Sequence, residues 1–330
     1  MTMFSQNLTG AAKTFADCSG CSLCLLVCPV WRQTRDIELT PHGRAKALQH
    51  GAGIKEIAAS LDSCTLCLAC DPVCPENIDL SGMVLDLRRR GATAVALHER
   101  QARIIEKVAV RETRKSGTSA ALLADRMLRA SPNLLTQVAG LLAVSASDDD
   151  GADIARALEA GVAIAGKRLQ EFLAPLRRAK NLIVADALLL RFLRESLPGS
   201  HMMSLGEALS GLPAVRRGLR ATDLYVIEPR AYHADFQRMV LHYDRLRAER
   251  GCAFNLDLQR IAIPATARGL PQRLGLAAPD DEQQTRWLLH GRDIKRIVVE
   301  SLDDIAAFER VTELPVIHLT ELADDNNHET

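Results

Sequence analysis

The chain has 330 residues, 47 % of them apolar and 25 % charged, as in a globular protein with room for two domains. Lysine plus arginine and aspartate plus glutamate stand at 41 each, so no net field favours nucleic acid, an anionic membrane or an acidic substrate. Aromatic residues, at 4 %, are too few for a base-stacking surface.

The pattern along the chain predicts an α+β protein in three parts. Residues 1–92 hold the cysteines. Met1 to Gly10 lack the basic then apolar order of a signal peptide. A helix is predicted from Thr40 to Gln49, with Thr40 as N-cap, Pro41 at the first helical position and Gly51 beyond its end. A second is predicted from Ser81 to Arg90, stopped by Gly91. Residues 93–180 read as a helical middle region, with Ile104, Ile105 and Val108 on one apolar face and Ser145–Asp150 as an acidic, solvated loop. Residues 181–330 read as an α/β domain. The apolar runs Leu182–Ala185, Leu224–Ile227, Ile297–Val299 and Val316–Leu319 are its strands, and amphipathic stretches such as Tyr232–Glu249 are its helices. Asp324–Thr330 is a polar tail. No run approaches the roughly 18–20 apolar residues of a membrane span, so the expectation is a cytoplasmic chain that reaches a membrane only through a partner.

Nine cysteines are present, eight of them before residue 75. In a long chain without an export signal such crowding points to metal rather than disulfides. The spacing is Cys18-x2-Cys21-x2-Cys24-x3-Cys28-Pro29, and again Cys64-x2-Cys67-x2-Cys70-x3-Cys74-Pro75. It repeats the spacing of bacterial two-cluster ferredoxins. Two-residue gaps let three thiolates wrap one face of a cubane, and the fourth cysteine, after a longer gap, faces the other cluster. One [4Fe-4S] cluster is therefore assigned to Cys18, Cys21, Cys24 and Cys74, and a second to Cys64, Cys67, Cys70 and Cys28. Zinc, with four ligands per site, has no use for the fourth cysteine-proline of each run. Leu25, Leu26, Val27 and Val73 are expected to keep the clusters dry. Cys252 stands alone and reads as buried and inert.

From Cys18 to Arg90 the chain resembles the iron–sulfur subunits of glycolate oxidase, of anaerobic glycerol-3-phosphate dehydrogenase (its C subunit) and of heterodisulfide reductase (its C subunit). The likeness rests on the two cysteine runs and their long insert, on CPVW (Cys28–Trp31), TPHGRAKAL (Thr40–Leu48) and CPENIDL (Cys74–Leu80). Within the insert Arg44 reads equally as a residue near a cluster and as a helix-surface arginine. The C-terminal part is similar to the cysteine-rich CCG domains of the same proteins. In YVIEPRAY (Tyr225–Tyr232), however, Glu228 and Ala231 replace the cysteines, and in VVESLD (Val298–Asp303) Glu300 and Asp303 do. The closing stretch LPVIHLTELA (Leu314–Ala323) is kept.

The resemblance implies an electron-transfer subunit without catalytic residues of its own. Its partners are then other redox subunits: a flavoprotein dehydrogenase or reductase, and a quinone or other carrier, with a membrane quinone-reactive subunit as one form. A heterodisulfide-type reductase with its own C-terminal active site is the alternative, weakened by the lost cysteines. An iron–sulfur protein acting on RNA is a third reading, against which charge and aromatic content speak. Glu228, Glu300, Asp303, His233 and His318 could ligate a hard metal, but hydrogen-bonded structural roles suit them better. His233 or Asp235 also reads as lying near a helix start. The basic clusters Arg88–Arg90 and Arg216–Arg220 read as solvated surface. No dinucleotide or nucleotide loop is visible.

Overall fold

The computed structural model describes residues 13–91, 120–257, 260–278 and 280–323. Short helices carry the cysteine-rich part: α1 (Leu23–Val27), α2 (Pro29–Thr34), α3 (Pro41–Gln49), α4 (Ala58–Ser63) and α5 (Leu80–Gly91). α3 begins as its sequence requires. The Thr40 hydroxyl accepts the Gly43 amide, Pro41 opens the helix, and Gly51, at φ 88°, follows its end. α5 extends through Gly91 rather than stopping before it.

The rest is α/β, as the apolar runs predicted for the part beyond residue 181. Among the described residues, eight strands form two parallel sheets: β1 (Ala120–Leu123), β2 (Ser145–Ala146), β3 (Asn181–Val184) and β4 (His201–Ser204), then β5 (Asp223–Val226), β6 (Ala253–Phe254), β7 (Arg296–Val299) and β8 (Val316–His318). The orders are β2-β1-β3-β4 and β6-β5-β7-β8. One topology thus occurs twice, offset by four strands. β5 and β7 are buried along their whole length, because helices cover both faces.

Two strands fall where a helical region was expected. β1 pairs with β3 in register from Ala120↔Asn181 to Leu123↔Val184, and β2 pairs with β1. The first sheet therefore takes strands from 93–180 as well as from beyond 181. The alanine- and leucine-rich β1, and a β2 of two residues, carry neither the β-branched enrichment nor the length that marks a strand. The stretch Ser145–Asp150 is likewise not a free loop. Ser147 is buried, Asp149 pairs with Arg168, and Asp150 pairs with Arg129. The apolar face of Ile104, Ile105 and Val108 and the tail Asp324–Thr330 lie outside the described residues.

One core joins the cysteine-rich part to the first sheet: Leu61, Leu66, Leu68, Val84 and Leu87 pack with Ile154, Phe172, Leu189 and Leu193. A second lies between the sheets, with Leu122 and Ile183 against Tyr225, Val298 and Tyr243. Among the described residues no helix is long and apolar enough to cross a membrane.

Candidate metal centre

The two cysteine runs share one backbone trace. Positive φ occurs at Gly20 (80°) and Ser22 (66°) in the first, and at Leu66 (50°) and Leu68 (60°) in the second. Both pairs stand two and four residues after the leading cysteine. A leucine in the left-handed region costs on the order of 1 kcal/mol or more, and such outliers gather where a site demands them. Leu66 and Leu68 are also buried, so core packing holds the strained turns in place.

Four of the thiols feel two different groups of neighbours. Cys24 is pushed up to about 11 by burial, and then by Cys18, Cys21 and Cys74. Cys28 is pushed up to about 11 by burial and by Cys64, while Arg44 and the amides of Trp31 and Val30 oppose the rise. Burial, with Cys28 and Cys64, raises Cys67 to about 12. Cys70 is raised well above the usual thiol range by burial, by Asp71, and by Cys67, Cys64 and Cys28. Cys74 thus sits with the first run, and Cys28 with the second.

Cys28, Cys64, Cys67 and Cys70 line one cavity with Leu66, Leu68, Ala69, Leu80, Val84 and Arg44. The sets differ in depth through one member each, Cys28 buried in this one and Cys21 exposed in the other, while Cys64, Cys67 and Cys70, like Cys18, Cys24 and Cys74, are half-buried. Leu26 is 62 % exposed and Leu23 is exposed beside it, so the dry shell expected around Leu25–Val27 is only partly formed. Val27 alone of the three is buried, against Ala69 and Ile261. Leu26 is on the outward side of the short helix α1, which has a single inward face to offer.

Arg44 resolves to the inner of its two readings. It is 2 % exposed, and its Nη1 donates to the Ser60 carbonyl and, at 3.1 Å, to the Ser60 hydroxyl. Its Nε is buried without a partner in the cavity wall. Arg88, expected at the surface, is buried too. Its Nη2 donates to the carbonyls of Leu61 and Cys64 (2.9 Å), and its Nη1 to that of Glu159 (2.9 Å). Residues of the α/β part brace the same loop. Arg230 Nη2 donates to the Thr65 carbonyl at 2.8 Å, and His233 Nδ1 lies 2.7 Å from that of Cys67. The first run is tied instead to α3, where Lys46 Nζ and Gln49 Nε2 both donate to the Cys18 carbonyl, at 3.2 and 2.9 Å.

At the strand ends, Glu300 Oε1 accepts from the Tyr225 hydroxyl at 2.7 Å and from that of Tyr243, and Oε2 accepts the Glu228 amide at 2.9 Å. His318 is held by Thr320, and Glu228 caps the helix Pro229–Ala234. His233 falls in the last turn of that helix, while Asp235 stands at a helix start, as N-cap of the helix Phe236–Arg250. Among the described residues no three His, Cys, Asp or Glu side chains converge tightly enough for a single metal ion. A cubane asks for something else: its four ligands bind four different irons, so their sulfurs stay apart around a cavity. Four mutually repelling thiolates in a dry cavity, with the orphaned Arg44 Nε in its wall, fit a sulfur-bridged iron core, whose positive charge offsets the cost of ionising them. Cys252 is buried, and burial pushes its thiol up to about 11.

Residues 14–78 match the family model of the 4Fe-4S dicluster domain. No curated protein and no solved structure matches the chain. The chain therefore carries a 4Fe-4S dicluster domain at its cysteine-rich end. Such a domain implies cluster binding and iron–sulfur electron transfer.

Proposed function

We propose that the chain is the electron-transfer subunit of a larger redox complex, holding one [4Fe-4S] cluster on Cys18, Cys21, Cys24 and Cys74 and another on Cys28, Cys64, Cys67 and Cys70. The observation that supports it is that Cys28 of the first run lines one cavity with Cys64, Cys67 and Cys70 of the second, while Cys74 acts on Cys24 together with Cys18 and Cys21. When bound, the clusters supply one-electron oxidation and reduction. The protein's own work is to hold the thiolates, to exclude water from the inner set with Leu66, Leu68, Leu80 and Val84, and to place the Arg44 charge beside Cys28. Exposed Leu23 and Leu26 next to Cys21 and Cys24 give the outer set a surface for a partner to cover. A flavoprotein dehydrogenase or reductase on one side, and a quinone or other carrier on the other, complete the relay.

Anaerobic purification of the full chain with its native partners tests this. The expected result is about eight irons per chain, following the four irons of each cubane, paired cubane EPR signals on reduction, and a co-purifying flavoprotein. Zinc in place of iron, or about four irons, overturns the two-cluster assignment. Native partners that include no redox protein overturn the relay.

A further inference from the structure

The two sheets face one another across a cleft of about 290 Å3, formed beyond the carboxyl ends of β1, β3, β5 and β7. Parallel sheets bind ligands at that edge, and the volume suits a small molecule. Two residues past each of these strands stand Asp125, Asp186, Glu228 and Ser301, every one the N-cap of the helix that follows. All four line the cleft.

Five arginines line it as well. Arg230 and Arg273 are committed to Glu159, at 2.8 and 2.6 Å, and Arg268 to Asp281 at 2.7 Å. Arg126 and Arg156 have no hydrogen-bond or ion-pair partner among the described residues. They are neighbours: Arg156 loses proton affinity through burial and next through the Arg126 charge. Glu159 attracts Arg156 at longer range, but its carboxylate is already shared by two other guanidiniums. Two like charges side by side at a cavity wall raise the energy of the empty site, and an oxyanion between them lowers it.

We propose that this cleft is a binding site for a small organic oxyanion, a carboxylate or phosphate monoester, gripped by Arg126 and Arg156. Asp125, which precedes Arg126 in the chain, and Asp186 also line the cleft; they accept hydrogen bonds from the ligand's hydroxyl groups and disfavour a ligand that is anionic at both ends. The proposal adds a small-molecule site to the electron relay and does not depend on it. Cleft and inner cysteine cavity share a wall, since Arg230 bridges Glu159 and the Thr65 carbonyl.

Calorimetric titration of the cluster-loaded full chain at constant ionic strength tests it, with gluconate as the hydroxylated carboxylate probe and inorganic phosphate as the phosphate probe. Saturable one-site binding of either probe is expected, and the tighter probe identifies the oxyanion. Arg126→Gln and Arg156→Gln should each weaken that binding at least tenfold, with iron content and the circular dichroism spectrum unchanged. Arg286→Gln, at an exposed side chain outside the cleft, should leave it intact. Absence of saturable binding by both probes overturns the proposal. So does binding that both cleft variants leave unaltered, or that Arg286→Gln weakens equally.

Discussion

His233 Nδ1 lies 2.7 Å from the Cys67 carbonyl oxygen, a contact across 166 residues that pins the α/β part to the second cysteine loop. The ring is fully used. Nδ1–H donates to the carbonyl, so Nε2 is free to accept the Ala262 amide at 3.2 Å. His233→Ala leaves a buried acceptor and a buried donor unpaired, at a cost of about 2–4 kcal/mol. A fall in the thermal midpoint, with faster iron loss to a chelator, is the expected result, and unchanged iron retention refutes the bracing role.

The crossing of ligands between the runs can be read by spectroscopy. Cys28→Ser should damage the same EPR component as Cys64→Ser, although Cys28 belongs to the first run. Cys74→Ser should match Cys18→Ser. If Cys28→Ser and Cys18→Ser instead remove one and the same component, ligation does not cross.

Arg44 brings a buried positive charge to the cavity wall beside Cys28. Such a charge favours the reduced, more negative state of a cluster. Arg44→Gln should lower the midpoint potential of the inner cluster by on the order of 60 mV, the one-electron equivalent of about 1.4 kcal/mol. Arg44→Lys should restore most of the difference. An EPR-monitored redox titration measures both, and equal potentials in all three proteins would remove Arg44 from the tuning of the site.

Glu300 gives the fold a dependence on pH. Burial pushes its carboxyl up to about 7, against the hydrogen bonds from the Glu228 amide, Tyr243 and Tyr225. Between the unfolded value near 4.5 and about 7 the native state holds a proton that the unfolded chain has released, so stability falls as pH rises through this window. Glu300→Gln mimics the protonated form, with its amide donating to the tyrosines and its oxygen accepting the Glu228 amide. It should flatten the decline of the thermal midpoint between pH 5 and pH 8 by roughly 1–3 kcal/mol of stability, from 1.36 kcal/mol per pKa unit. An unaltered slope would place the titration elsewhere, with Asp125, raised to about 6 by burial, the next group to test.

Local chemistry made much of this molecule legible in its sequence. Thr40 and Pro41 announce α3, and the apolar runs at Leu182, Leu224, Ile297 and Val316 announce four strands. What was hidden depends on distant partners. β1 is a strand because β2 and β3 flank it, and its own residues favour a helix equally well. Arg88 looks like one of three surface arginines until the carbonyls of Leu61, Cys64 and Glu159 are placed around it. The cysteines are visible through their spacing, and Arg44 through the motif around it, whereas Arg230 and His233, which steady the second cysteine loop, have no motif. The cleft arginines were invisible for the same reason, since Arg126 and Arg156 meet only once helices from two parts of the chain are packed.

The unequal depth of the two cysteine sets also orders their decay. Dioxygen and peroxide reach the exposed Cys21 directly, while Cys28 is buried and shares with the half-buried Cys67 and Cys70 a cavity lined by leucine and valine. Brief exposure to air should therefore bleach one half of the chromophore first, leaving a protein that is still brown, still folded at its inner cysteine loop, and already cut off from whatever it serves.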